Sequence, residues 1–364
     1  MDTGSMRAVS WAGPGRLAHE VVPIPRIVDG EVLVQVAHAG ICGSDLAILK
    51  GEHARARPGV RLGHEFAGTV AASSAEGAPA VGTRVAVRPL IACADRAAVP
   101  PGRAYTPPPP GESCRACVSG NPHVCRSLGL YGVDEPGGLA EYVAVRADAV
   151  HPLRPEVAPE LAALAEPLAV AVHAVSRSGL TGGENVAVFG GGPIGLLTAL
   201  VARRRGAGSV VIVEPNAWRR GVAERFGFPV LEADADVPAR IRAGTSGDGA
   251  DIVFDSAGHP AVARQMTEAA RIQGTIVIVG VHKTPPAVDL RTVNFAEHRL
   301  VGARVYARAD FAAAVDLIED DALGLAELPL RTFPLDEVDG AFSAAAAGEG
   351  SVKVLIAPIP EGAE

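Results

Sequence analysis

An α/β protein of two domains is the fold that the sequence predicts, one domain built on a doubly wound parallel sheet and the other an antiparallel, barrel-like sheet. Three observations carry it. Short β-branched runs alternate with helical patterns across residues 185–280. Earlier in the chain Val32, Val34 and Val36 alternate with other residues, the period of a half-buried strand. Finally, 364 residues exceed what one ordinary hydrophobic core supports.

In chain order, the first part adds strand candidates at residues 66–72, 83–90 and 139–145, each bounded by glycine. Residues 94–111, with prolines at 107–110, read as a stiff surface insertion. Apolar runs at 186–189, 209–214, 251–255 and 275–280 then read as buried parallel strands. Between the first two, Ile194, Leu197, Thr198 and Val201 recur at helical spacing, and Asn216 is placed to cap a helix carrying Val222 and Phe226. After about residue 294 come a strand at 300–305, a helix at 310–318 and an apolar run at 352–356. The expected division is a first domain over 1–155, a second over 156–294, and a return to the first over 295–364.

Composition excludes several partners. The net charge of −8, with no basic run beyond Arg203-Arg204-Arg205, leaves no electrostatic footprint for nucleic acid. No stretch reaches the roughly 18 to 20 apolar residues of a membrane span, and the first twenty residues lack an export pattern, so a cytoplasmic protein is expected. Five cysteines, Cys42 alone and Cys93, Cys114, Cys117 and Cys125 as a group, suit metal better than a disulfide framework.

Gly190-Gly191-Gly192-Pro193-Ile194-Gly195 supplies G-x-G-x-x-G between a strand and a helix. Gly190 permits the tight turn, Gly192 lets backbone approach a pyrophosphate, and Gly195 lets helix and strand pack closely. Pro193 and Ile194 open the helix whose amino terminus faces the phosphates. Glu214, 24 positions after Gly190, is placed to accept from the ribose hydroxyl groups and to repel a 2′-phosphate, which favours NAD over NADP. Arg219 and Arg220, close by, weaken that preference without reversing it.

Cys42, His64 and Glu166 are a thiol, an imidazole and a carboxylate, three donors of a zinc site that keeps a fourth position open. Singly each has a bland reading as a core or surface residue. Together, G-I-C-G-S-D at 40–45, G-H-E-F-A-G at 63–68 and E-P-L-A-V at 166–170, with the glycine loop, resemble the medium-chain zinc-dependent alcohol and polyol dehydrogenases. The sorbitol, butanediol and threonine dehydrogenase branches are the nearest in pattern, and the resemblance runs from about Arg7 to Ile356.

That resemblance implies a GroES-like catalytic domain joined to a Rossmann domain. It implies a catalytic zinc held by Cys42, His64 and Glu166 with Glu65 in or beside the coordination shell, Ser44 as a proton relay, and Asp45 orienting the histidine. Ala47 stands where those branches usually carry a histidine, and His53 is a substitute exit for the proton. Cys114-x-x-Cys117-x₇-Cys125 matches the tail of the family's structural-zinc lobe, here about residues 93–125. The missing first ligand falls at Gly111, and Cys93, displaced by the insertion, is expected to complete the four-cysteine site.

The implied reaction is hydride transfer between a secondary alcohol (a polyol, vicinal diol, cyclitol or amino alcohol) and NAD, giving the ketone. The implied assembly is a homodimer or homotetramer paired through the strand at 300–305. Two alternatives stay open at this point. One is a zinc-free quinone or enoyl reductase of the same fold. The other is a non-catalytic nucleotide sensor carrying a zinc ribbon.

Overall fold

In the computed structural model, residues 4–93, 95 and 113–359 are described. The insertion expected at 94–111 lies, apart from Asp95, outside them. The chain divides into two compact units, Met1–Glu166 with Ala307–Glu364, and Pro167–Tyr306.

The first unit is organised by a seven-stranded sheet. Glu31–Gly40 pairs antiparallel with Glu65–Ser73, Tyr142–Arg146 and Lys353–Ala357, while Leu330–Pro334 runs parallel to the last of these. Arg84–Val87 and Val150–Pro152 extend the sheet beyond Glu65–Ser73. The alternation of Val32, Val34 and Val36 is explained directly. All three are fully buried in one core with Phe66, Val85 and Ile356. Two register shifts against the neighbouring strand, at Leu33/Val34 and Val36/His38, interrupt the regular ladder of Glu31–Gly40.

Several expected strands differ in extent, among them the run at 275–280, which belongs to Ala270–Ile278. The run at 83–90 is two strands, Arg84–Val87 and Leu90–Ile91, because Pro89 cannot donate to a ladder. The run at 139–145 is Tyr142–Arg146, with Ala140 making only an isolated bridge to Ala8. The strand at 300–305 is Arg299–Gly302, and the positive φ of 43° at Val305 lies outside extended geometry.

The second unit is a six-stranded parallel sheet of Val230–Leu231, Ser209–Val213, Asn185–Phe189, Ala250–Asp255, Ala270–Ile278 and Arg299–Gly302, in that spatial order. In chain order this is third, second, first, fourth, fifth, sixth, the doubly wound Rossmann arrangement. The order reverses between Asn185–Phe189 and Ala250–Asp255, and at such switch points open α/β sheets bind ligands beyond the carboxyl ends of their strands. Val186 to Phe189 are all buried, as a strand covered on both faces requires. Asn216 caps the helix Ala217–Arg225 by accepting from the Arg219 N–H at 3.0 Å.

Candidate metal and dinucleotide sites

In the first unit, Cys42 precedes the short helix Gly43–Leu49. The Cys42 N–H donates to Asp45 Oδ2 at 2.9 Å, so the carboxylate caps the helix start. Its other oxygen lies 3.6 Å from His64 Nδ1, an ion-pair distance rather than a hydrogen bond. Ser44 Oγ is 3.3 Å from His64 Nε2. The Cys42 sulfur, a His64 ring nitrogen and a Glu65 carboxylate oxygen all lie within 4.8 Å of one another.

The sheet brings Glu65 and a cation to the same place. Glu65 pairs in register with Gly40, which also pairs with Leu355 of the strand that Lys353 opens. Lys353 Nζ forms an ion pair with Glu65 Oε2, and both side chains are almost fully buried. A methyl group at position 40 would overlap the Glu65 carboxylate and come within 2.9 Å of Lys353 Cε, so only glycine leaves space for the pair. Glu166, buried in the first turn of Ala165–Ser178, is not in the 4.8 Å group.

The electrostatics of this pocket favour a cation. Burial pushes the Lys353 ammonium down, but Glu65, Cys42 and Glu166 outweigh it and hold the group above its ordinary value. Burial likewise opposes a charged His64, and Asp45 with Cys42 raises it well above the usual imidazole range. A negative potential that retains protons this firmly also attracts a metal ion, which competes for the imidazole nitrogen. Thiol, imidazole and carboxylate together are a zinc donor set, so the residues fit that ion.

The other four cysteines converge as well. Cys93 Sγ lies 3.3 Å from Cys117 Sγ, and Cys114 Sγ lies 3.8 Å from Cys125 Sγ. These separations are far from a disulfide bond, and all five cysteines are free. The Cys93 and Cys114 N–H groups donate to Cys125 and Cys93 sulfur at 3.3 and 3.2 Å. N–H donors from Arg126 and Cys117 lower the Cys114 thiol to about 6, making thiolate accessible near neutral pH. Four sulfurs within 4.8 Å of one another fit a closed tetrahedral site.

In the second unit a cleft of about 860 Å³ lies at the switch point, and Gly190, Gly192, Pro193, Ile194, Gly195, Glu214 and Arg219 all line it. Gly190 has φ 102°, and a Cβ at Gly195 would overlap the Gly190 carbonyl oxygen, so both glycines are sterically required. Glu214 Oε2 accepts from the Gly191 N–H at 2.6 Å and Oε1 from the Asn216 N–H at 2.9 Å. Each carboxylate oxygen retains the capacity to accept a further hydrogen bond.

Comparisons with known proteins agree with this layout. The family model described as zinc-binding dehydrogenase matches residues 193–320, and that of the alcohol dehydrogenase GroES-like domain matches residues 28–155. A 2-dehydro-3-deoxy-L-galactonate 5-dehydrogenase from Pseudoalteromonas atlantica is 37% identical over 331 residues, 90% of this chain and 91% of that protein. The chain belongs to the zinc-binding dehydrogenases. An L-threonine 3-dehydrogenase from Bacillus subtilis is 31% identical over 98% of this chain and 100% of that protein. The crystal structure of a zinc-binding dehydrogenase from Sinorhizobium meliloti bound to NADP superposes with a TM-score of 0.86 at 33% identity, covering 98% of this chain and 100% of that one.

Within this zinc-binding dehydrogenase, Lys353 is the site residue that the sequence reading missed. Its signal was available, since only three of the 33 basic residues are lysines and this one stands inside an apolar run. His53 is held with Nδ1 accepting from the Ala56 N–H at 3.2 Å, which makes Nε2 the N–H donor of the neutral ring. Burial and the Arg55 guanidinium lower it from the ordinary imidazole value.

Asp45→Asn is expected to weaken zinc binding about 10- to 100-fold, the usual effect of removing the carboxylate behind a ligating histidine. Competition with a chromogenic chelator measures it, and unchanged affinity would remove Asp45 from the support of His64.

Proposed function

We propose that this chain is a zinc-dependent, NAD-linked dehydrogenase that interconverts a secondary alcohol and its ketone. The observation that carries the reading is the close group of half-buried Cys42 with buried His64 and Glu65, and a serine hydroxyl on the imidazole nitrogen. A zinc-free reductase needs no such set, and a nucleotide sensor needs no hydroxyl beside it.

Cys42, His64 and Glu65 would hold the catalytic zinc, with Glu166 and Lys353 setting the charge around it. When bound, zinc supplies Lewis acidity toward the substrate oxygen, and NAD supplies the hydride acceptor. Ser44 Oγ receives the alcohol proton as its own proton passes outward, with His53 as the proposed exit group. Asp45 keeps His64 in one orientation through Nδ1. Cys93, Cys114, Cys117 and Cys125 would hold a structural zinc that ties the lobe together.

Glu214 favours NAD because a 2′-phosphate would bring like charge against a carboxylate, while Arg219 in the same cleft moderates the preference. The sugar-acid and threonine dehydrogenases among the relatives extend the candidate substrates to hydroxy acids beside polyols, vicinal diols, cyclitols and amino alcohols. A substrate panel in the oxidative direction with NAD and NADP in parallel tests the reading. Turnover of at least one class with NAD preferred is expected, and silence across the panel by zinc-loaded protein would overturn it.

Pairing of two copies through the second unit's sheet edge accounts for its apolar surface. Arg299–Gly302 is the outermost strand, and Ile272, Leu290, Phe295 and Leu300 are exposed. Light scattering in solution measures the resulting mass. A cytoplasmic setting suits five reduced cysteines used as ligands.

A further inference from the structure

We infer that Asp255 and His282 are positioning residues for the dinucleotide, acting through the turn at residues 256–258; the inference rests on the reading of the glycine-lined cleft as the NAD site. Asp255 ends the strand Ala250–Asp255 at the switch point and is completely buried. A carboxylate there is costly unless fully engaged. Its Oδ2 meets His282 Nε2 at 2.8 Å, while Oδ1 accepts from the Ala257 and Gly258 N–H groups at 3.1 and 2.9 Å. Its main-chain oxygen accepts from the Val279 and Gly280 N–H groups at 2.9 and 2.7 Å. One residue therefore fixes two turns, one after its own strand and one after the neighbouring strand Ala270–Ile278.

The first of those turns is part of the cleft wall. Ser256 and Ala257 line the cleft, and the turn lies against Gly190, where an added Cβ would meet the Ala257 nitrogen at 3.2 Å. On its other side Gly258, at φ 60°, packs on the Val281 backbone, where an added Cβ would meet the carbonyl oxygen at 2.8 Å. The turn is thus held between the first glycine of the phosphate loop and the segment that carries His282. Ser256 belongs to the cleft lining, and its Oγ is buried without a protein partner among the described residues.

The imidazole is the replaceable part of this device, because any N–H donor of similar reach can satisfy Asp255 Oδ2. His282→Leu is expected to raise the dissociation constant for NADH and the KM for NAD about tenfold, the effect of losing a hydrogen bond to a charged group, with kcat within about twofold. His282→Gln is expected to restore most of the loss. Ser256→Ala should weaken NADH binding in the wild type and have little further effect in the His282→Leu background, since the hydroxyl is useful only when the turn is held. Asp255→Asn, which keeps the shape, guards against a folding defect in His282→Leu, and NADH fluorescence titration with thermal unfolding on each purified holoprotein provides the readings. Equal NADH affinity in wild type, His282→Leu and Asp255→Asn would overturn the inference, as would additive losses for Ser256→Ala and His282→Leu. Failure of the wild type to bind either NADH or NADPH would instead overturn the cofactor reading beneath it.

Discussion

Replacing Cys42 by alanine is expected to lower bound zinc from about two ions per chain to about one and to reduce turnover by about a thousandfold or more. The magnitude follows from the several kcal/mol of charge stabilisation that a Lewis-acidic ion contributes, each 1.4 kcal/mol or so being tenfold in rate. The same substitution should leave NADH binding intact, because Cys42 and the glycine turn belong to separate units of the fold. Cys114→Ala should behave in the opposite way, losing zinc together with thermal stability, since a closed four-sulfur site contributes to folding directly. Metal analysis and NADH titration on the two variants separate these roles. Cys42→Ala retaining both zinc ions, or losing NADH binding as severely as turnover, would contradict the assignment.

Replacing Lys353 by methionine is expected to destabilise the zinc-free protein by about 3 to 5 kcal/mol, because Glu65 is left as a buried carboxylate without its ion-pair partner. Glu65→Gln combined with Lys353→Met removes both charges and should recover most of that loss. Zinc loading should also reduce the deficit of the single variant, as the metal then supplies the missing positive charge. Urea unfolding with and without a chelator measures all of these. A double variant no more stable than Lys353→Met alone would show that the ion pair is not the source of the effect.

Much of this was legible in the sequence because local pattern and global packing agree. The alternation of Val32, Val34 and Val36 is the core face of the strand that ends at Gly40, in register with Glu65. The context of Gly190 to Gly195, between an apolar strand and a helical pattern, located the switch point before any strand order was known. Pairings between residues far apart in sequence were harder to see. Lys353 meets Glu65 only because two strands flank Glu31–Gly40 in register, and no local period encodes that. Asp255 looked like the end of a strand, and its partner 27 residues later carries no motif. Cys93 was reached through resemblance alone, since the insertion separates it from Cys114 by 21 positions. Strand ends were misjudged where one residue overrides a pattern, as Pro89 does within the apolar run at 83–90.

Anomalous scattering at the zinc edge, recorded from crystals of the zinc-loaded protein, tests the central claim most directly. Two peaks per chain are expected, one among the sulfurs of Cys93, Cys114, Cys117 and Cys125, and one bounded by Cys42 Sγ, a His64 ring nitrogen and the Glu65 carboxylate. A zinc peak confined to the four cysteines, with nothing between Cys42 and His64 in metal-replete protein, would contradict it.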